Sequence, residues 1–239
     1  MKFKYCLNFL FTISIVLSFS NPAFSEEKKE TVTMKANLEL VKKYMLLSLL
    51  PEKNGTLSKW QSEIFFEVIS ENKSRKELEN YIADANEYFK PKFSLSRSGD
   101  NTNYLIISTA KMENVLSVYK DRIIKLAGDS FYNQIKNPKS CSTKNISTKD
   151  GAIVGSILFV NETLPLELYM KCLNVNFMIS LGFIRTLDGA QNSVLSKKPN
   201  PNSFTLYDFV MADFLYTDSF KLRMNQNDFF KAVQSLGVN

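Results

Sequence analysis

Apolar residues recur at helical spacing from Met34 to Leu50, with Leu38, Val41, Met45 and Leu49 on one side and a stop at Pro51. After the Asn54-Gly55 turn, Trp60 introduces SEIFFEVIS, where Ile64, Phe66 and Val68 alternate with Phe65, Glu67 and Ile69. That alternation predicts a strand with one apolar and one mixed face. Asn72 to Phe89 reads as a helix, with Leu78, Tyr81, Ile82, Ala85 and Phe89 on its inner side. FSLSRS (93–98) and NYLIISTA (103–110) read as strands on either side of a Gly99-Asp100-Asn101 turn. Glu113–Ala127 and Ser130–Ile135 predict helices, Cys141 opens a Ser/Thr/Lys-rich connection, and Ala152–Val160 is a largely apolar strand. From Leu164 to Phe183 the apolar positions run nearly all round: Leu168, Cys172, Leu173, Val175, Met178, Ile179 and Leu181. That is the mark of a central buried helix. Helices over Thr205–Tyr216 and Asn227–Leu236 complete an α+β domain, a mixed sheet covered by helices.

Before this domain the pattern changes. Lys2 and Lys4 precede a mostly apolar run, Cys6–Phe19, and Pro22-Ala-Phe-Ser25 puts small residues before a cut ahead of Glu26. Residues 1–25 therefore read as a signal peptide and 26–33 as a polar, disordered leader. The run is short of the ~20 residues of a membrane span, so no stable span is expected after cleavage. The organisation is then an N-terminal helix and linker over 34–58 and the main domain over 59–239. Export sends the chain to the periplasm or the medium, an oxidising setting.

Of three cysteines, Cys6 leaves with the signal, and Cys141 and Cys172 are expected to pair. Closing a loop of ~30 residues stabilises by about 3.5 kcal/mol in the chain-entropy model. The competing reading is two separate buried thiols. Net charge is +6, two of those charges being signal lysines, and the rest are dispersed without a basic run. Nucleic acid is not an expected partner.

The second half carries a layout without its chemistry. A helix ends at Gly182; a loop, a Ser193-Val194-Leu195 turn and a helix closing in Leu215-Tyr216 follow. A zinc peptidase of the H-E-x-x-H-x-x-G-x-x-H type places two imidazoles one helical turn apart, a Glu base between them and a third His beyond the Gly. Aligned on Gly182, the helix terminator, the ligand positions hold Val175, Ile179 and Arg185, and the base position holds Asn176. Val and Ile carry no donor atom, Arg is cationic, and Asn takes no proton from water. The chain contains no histidine at all. No metal, cofactor or catalytic residue is expected, and Val175 and Ile179 read as packing that fills the vacated space.

From Ser193 to Tyr216 the chain resembles the ending of matrixin-type metzincins, where Ser-Val-Met precedes a loop and an Asp-led helix closing in Leu-Tyr. From Trp60 onward it resembles more closely a proteobacterial family of secreted proteins and predicted lipoproteins known only as a domain of unknown function. The shared elements are Lys59-Trp60, Cys141 ahead of an apolar strand, Cys172 on the helix, Leu181-Gly182-Phe183, Ser193-Val194-Leu195, Thr205-Leu206-Tyr207-Asp208 and the LYTDSFKLRM segment. The family commonly has acidic residues and a Gln where this chain has Val175, Asn176 and Ile179. The family's function is unknown, so the resemblance implies a zincin-like fold and supplies no activity.

Other candidates have plainer readings. Cys172 lacks a base and has Cys141 as partner; Ser193 forms a turn. Asp188, Asp208 and Asp213 offer carboxylates, but Asp208 in a first helical turn complements the helix dipole and Asp188-Gly189 is a turn. The stripe Phe204, Tyr207, Met211 and Phe214 has core spacing. The expectation is an exported, monomeric, non-catalytic domain that binds a peptide or protein of the cell envelope. The alternatives are a structural component of an envelope assembly docked through residues 34–50, or a metal-independent hydrolase using Asp188 and Asp208 on a glycan.

Overall fold

The computed structural model describes residues 37–49, 56–70, 74–96, 101–110, 112–135, 141–184, 186–188, 192–197 and 203–237. The predicted signal and leader, the Asn54-Gly55 turn, Gly99-Asp100 and Arg185 lie outside them. The elements are α1 (Leu38–Leu49), β1 (Lys59–Trp60), β2 (Ile64–Ser70), α2 (Ser74–Tyr88), β3 (Phe93–Leu95), β4 (Tyr104–Thr109) and α3 (Met112–Ile135). They continue with β5 (Ser142–Ser147), β6 (Ala152–Asn161), α4 (Leu166–Ser180), α5 (Leu206–Leu215) and α6 (Gln226–Gln234).

Five strands run parallel and β5 alone is antiparallel, so the sheet is mixed and the class is α+β. Ile153 of β6 pairs with Trp60 on one edge and Ser147 on the other, so β1 and β5 flank β6 on opposite sides. On the β1 side, opposite β5, β4 pairs with the rest of β6, and β2 and β3 follow it. The segments 93–98 and 103–110 do not pair with each other: β3 and β4 lie on either side of β2.

Side-chain alternation builds two cores. Tyr104 and Ile106 of β4, with Ile64, Phe66 and Val68 of β2, enter a large core made with α1, α2, α4, α5 and α6. Leu105, Ile107, Ile157 and Phe159 point the other way, against Val115, Leu116 and Ile123 of α3. All six residues of β4 are buried, as a central parallel strand with helices on both faces requires. The mixed face of β2 is explained by Glu67, whose carboxylate lies 2.8 Å from the Arg122 guanidinium of α3. The two helices expected over 113–135 form one element broken at Gly128, which has φ 84° and ψ 164°. Among the described residues no helix is long and apolar enough to cross a membrane.

Two expectations need correction. The Ser/Thr/Lys-rich connection after Cys141 is a strand, β5, paired with β6 over Ser142–Ser147. Its low apolar content hid it, because an edge strand need bury little. The helix after it is not apolar-buried all round. Leu173, Met178 and Leu181 are in the core, whereas Leu168 is 48% exposed and Cys172, Val175 and Ile179 are half-buried.

Candidate functional site

One residue pair closes both α4 and α5. Lys59 and Trp60 of β1 lie against the ends of α4 and α5. The Trp60 indole donates to Ser180 O at 2.8 Å, and the Tyr216 hydroxyl donates to Leu181 O at 2.8 Å while accepting from Trp60 N at 3.3 Å. Lys59 Nζ donates to Leu215 O (3.1 Å) and Thr217 O (3.3 Å), carbonyls at and just beyond the end of α5. Burial holds the Lys59 amine below its ordinary pKa. At Gly182 the chain leaves α4 with φ 116°, and an added Cβ would sit 2.1 Å from Ser58 O. The motifs Lys59-Trp60, Leu181-Gly182 and Leu215-Tyr216, far apart in sequence, thus form one clamp on the helix ends.

The positions that alignment on Gly182 gives to ligands lie further up α4. Val175 and Ile179, one turn apart, are half-buried and face the side of the helix on which β5 runs. Neither is among the fully buried residues of the core. Asn176, at the base position, is buried and holds β5 instead. Its Oδ1 accepts from Thr143 Oγ1 at 2.9 Å, and its Nδ2 donates to Cys172 O (2.9 Å) and Cys141 Sγ (3.2 Å).

The attachment of β5 to α4 is a ladder of three rungs. Cys141 and Cys172 form a disulfide with a Cα–Cα distance of 5.8 Å. Thr143 meets Asn176, and Asn145 Nδ2 donates to Ile179 O at 2.7 Å while its Oδ1 accepts from Ser156 Oγ at 2.8 Å. Alternate residues of a strand advance ~6.8 Å, and steps of three or four residues on a helix advance ~4.5–6 Å. Rungs at 141, 143 and 145 therefore match 172, 176 and 179 with small adjustment. The other edge of β5 is paired with no strand among the described residues.

Beneath the helix the Ser193-Val194-Leu195 turn is fixed by Asp208. The carboxylate, fully enclosed, accepts from Ser193 Oγ (2.6 Å), Val194 N (3.2 Å), Thr205 N (2.8 Å) and Thr205 Oγ1 (2.9 Å). Burial pushes its pKa up to about 6, against the pull of those donors. Ser193 is accordingly a turn residue, with Leu195 N donating back to its Oγ at 3.1 Å.

The three aspartates do not gather. Asp208 is enclosed, the Asp188 side chain is 83% exposed and pairs with Lys197 at 3.2 Å, and no metal-holding group of His, Cys, Asp or Glu occurs among the described residues. Phe204 packs on Phe89 and Phe177, with ring centroids 5.1 and 5.6 Å apart, and Tyr207 packs on Tyr44 at 5.8 Å. Met211 of the same stripe is fully buried.

Sequence reasoning missed a polar cluster at the carboxyl ends of the parallel strands. Ser70 and Ser108 both donate to Glu162 Oε1, at 2.9 and 3.0 Å, and the Tyr169 hydroxyl lies 3.1 Å from Ser108 Oγ. It brings together β2, β4, the residue after β6, and α4, an assembly no local pattern announces. The Thr143–Asn176 and Asn145–Ile179 rungs were missed for the same reason. No family model matches the chain, and no curated protein or solved structure matches it either.

Proposed function

We propose that this chain is an exported, non-catalytic module on a zincin-like frame, which binds an extended peptide as an added strand on the open edge of β5. The observation that carries this reading is what occupies the vacated site. Two half-exposed aliphatics, Val175 and Ile179, stand at ligand positions, and the Asn176 amide is engaged in holding the edge strand. The arrangement offers a surface for side chains and a backbone edge for hydrogen bonds. It offers no nucleophile, base or Lewis acid at those positions. Strand addition uses main-chain bonds for affinity and alternate side chains for selection, which suits an edge strand flanked by aliphatics. Antiparallel β5 beside α4 presents its edge where a peptidase would hold substrate as an added strand, and this placement supports the zincin-like frame.

The test is titration of the oxidised mature chain with a library of unstructured peptides drawn from envelope proteins, followed by amide chemical shifts. Saturable binding that perturbs residues 142–147 together with Val175 and Ile179 is the expected result. Binding that leaves those residues unmoved, or hydrolysis of any peptide by metal-loaded protein, would overturn the reading. Elemental analysis serves as a control, and one equivalent of zinc would show the alignment on Gly182 to be misplaced.

A further inference from the structure

We infer that the Cys141–Cys172 disulfide is a redox latch on the edge strand: reducing it releases β5 from α4 while both cores stay folded. The argument begins with what holds β5 in place. Its sequence, STKNIS, has one apolar residue, and none of its six residues is buried. The central strand β4 has all six buried. Lacking apolar burial, β5 depends on its pairing with β6, which is irregular at Ile146/Ser147, on the three rungs to α4, and on an exposed bond from Gln134 of α3 to Ser142. Only the first rung is covalent.

The rungs are also coupled. Asn176 Nδ2 donates to Cys141 Sγ and to Cys172 O, so the same amide that grips Thr143 is oriented by the disulfide. When the sulfurs separate, Asn176 loses one partner and its hold on Thr143 is loosened. The ties that remain are single hydrogen bonds: Thr143 Oγ1 to Asn176 O at 3.2 Å, Asn145 Nδ2 to Ile179 O at 2.7 Å, and Gln134 Nε2 of α3 to Ser142 Oγ at 3.3 Å. Neither core depends on this contact: the α3-side core contains neither cysteine, and in the large core both cysteines lie at the partly buried margin. Both are partly exposed, so a reductant has a route to the bond.

The reaction requires a dithiol as co-reactant, supplied by a thiol–disulfide exchange protein or a small dithiol. One of its thiolates attacks either Sγ, and the other Sγ departs as thiolate. The second thiol then resolves the mixed disulfide. Two electrons pass to the cystine, two protons end on Cys141 and Cys172, and the dithiol leaves as its own disulfide. The consequence for a ligand rests on the peptide-binding reading, since an added strand needs a fixed edge.

Hydrogen exchange of the full mature chain, oxidised and after treatment with dithiothreitol, tests the latch directly. Amides 142–147 are expected to exchange about tenfold faster or more on reduction, with β4 changing less than about twofold. The Cys141→Ser, Cys172→Ser double variant should reproduce the reduced pattern without reductant. Unchanged exchange at 142–147 would overturn the proposal. So would equal loss of protection across β4, which would make the bond a staple of the whole fold. A peptide that binds the oxidised form should lose about tenfold in affinity on reduction. Local release with no peptide bound in either state supports the latch and counts against the binding reading alone.

Discussion

At the scale of single residues, Asp208 and Gly182 carry the sharpest consequences. Burial lifts the Asp208 carboxyl to about 6 in the folded chain, against about 3.9 when unfolded. The folded state therefore holds its proton more tightly. Stability from this group is full below about pH 3.9 and is lost as pH rises through about 6, on the order of 3 kcal/mol across the window. Asp208→Asn has no proton to lose. Its amide also turns a donor toward Ser193, Val194 and Thr205, which all donate to this position. Chemical denaturation of both proteins from pH 4 to 7 should show the variant less stable throughout, with its deficit shrinking as pH rises. A constant deficit would mean that Asp208 does not titrate in this range. Gly182→Ala faces two obstacles, a φ of 116° and a backbone oxygen 2.1 Å from the new Cβ. Neither side chain rearrangement nor solvent relieves them, so a loss of roughly 3 kcal/mol or more is expected in thermal or denaturant unfolding.

At the scale of elements, what could be read from sequence follows from how each element is stabilised. α2, β2, β4 and β6 declare themselves because apolar burial imposes their period, and the observed ends fall within about two residues of the expected ones. The break at Gly128 was legible because a helix former pattern lapses there. β5 was not, since polar rungs to another element hold it and leave no hydrophobic signature. The disulfide was legible from the cysteine count and the expected export, whereas its partner Asn176 was not, because pairing across 33 positions with Thr143 has no local trace. The same polar rungs give a prediction at this scale. Asn145→Ala removes the donor to Ile179 O and leaves Ser156 Oγ without its acceptor. A loss of about 1–3 kcal/mol is expected, with exchange at 142–147 rising more than exchange in β4. A uniform rise would show that β5 is not a separately opening unit.

At the scale of the whole molecule, the question is whether the N-terminal helix belongs to the folding unit. Sequence composition separates residues 34–58 from the domain beyond them, and the assembly alternative treats 34–50 as a detachable docking arm. In the structure α1 contributes Val41, Tyr44, Met45 and Leu49 to the large core, each at most 4% exposed. Its last turn also accepts a backbone bond, from Ile184 N to Ser48 O at 2.8 Å, and Tyr44 stacks edgewise on Tyr207 of α5. Removing the helix would uncover the loop after α4 and the α5 face together. Each large buried side chain of this kind is worth about 2–5 kcal/mol on truncation to Ala, so the four together approach the total stability of a domain this size. Deletion of residues 34–50 should therefore abolish the cooperative thermal transition of the remaining chain. The single change Leu49→Ala should lower its midpoint while keeping it cooperative. A truncated protein that still melts sharply would make α1 an appendage, and would return the docking-arm reading to the front.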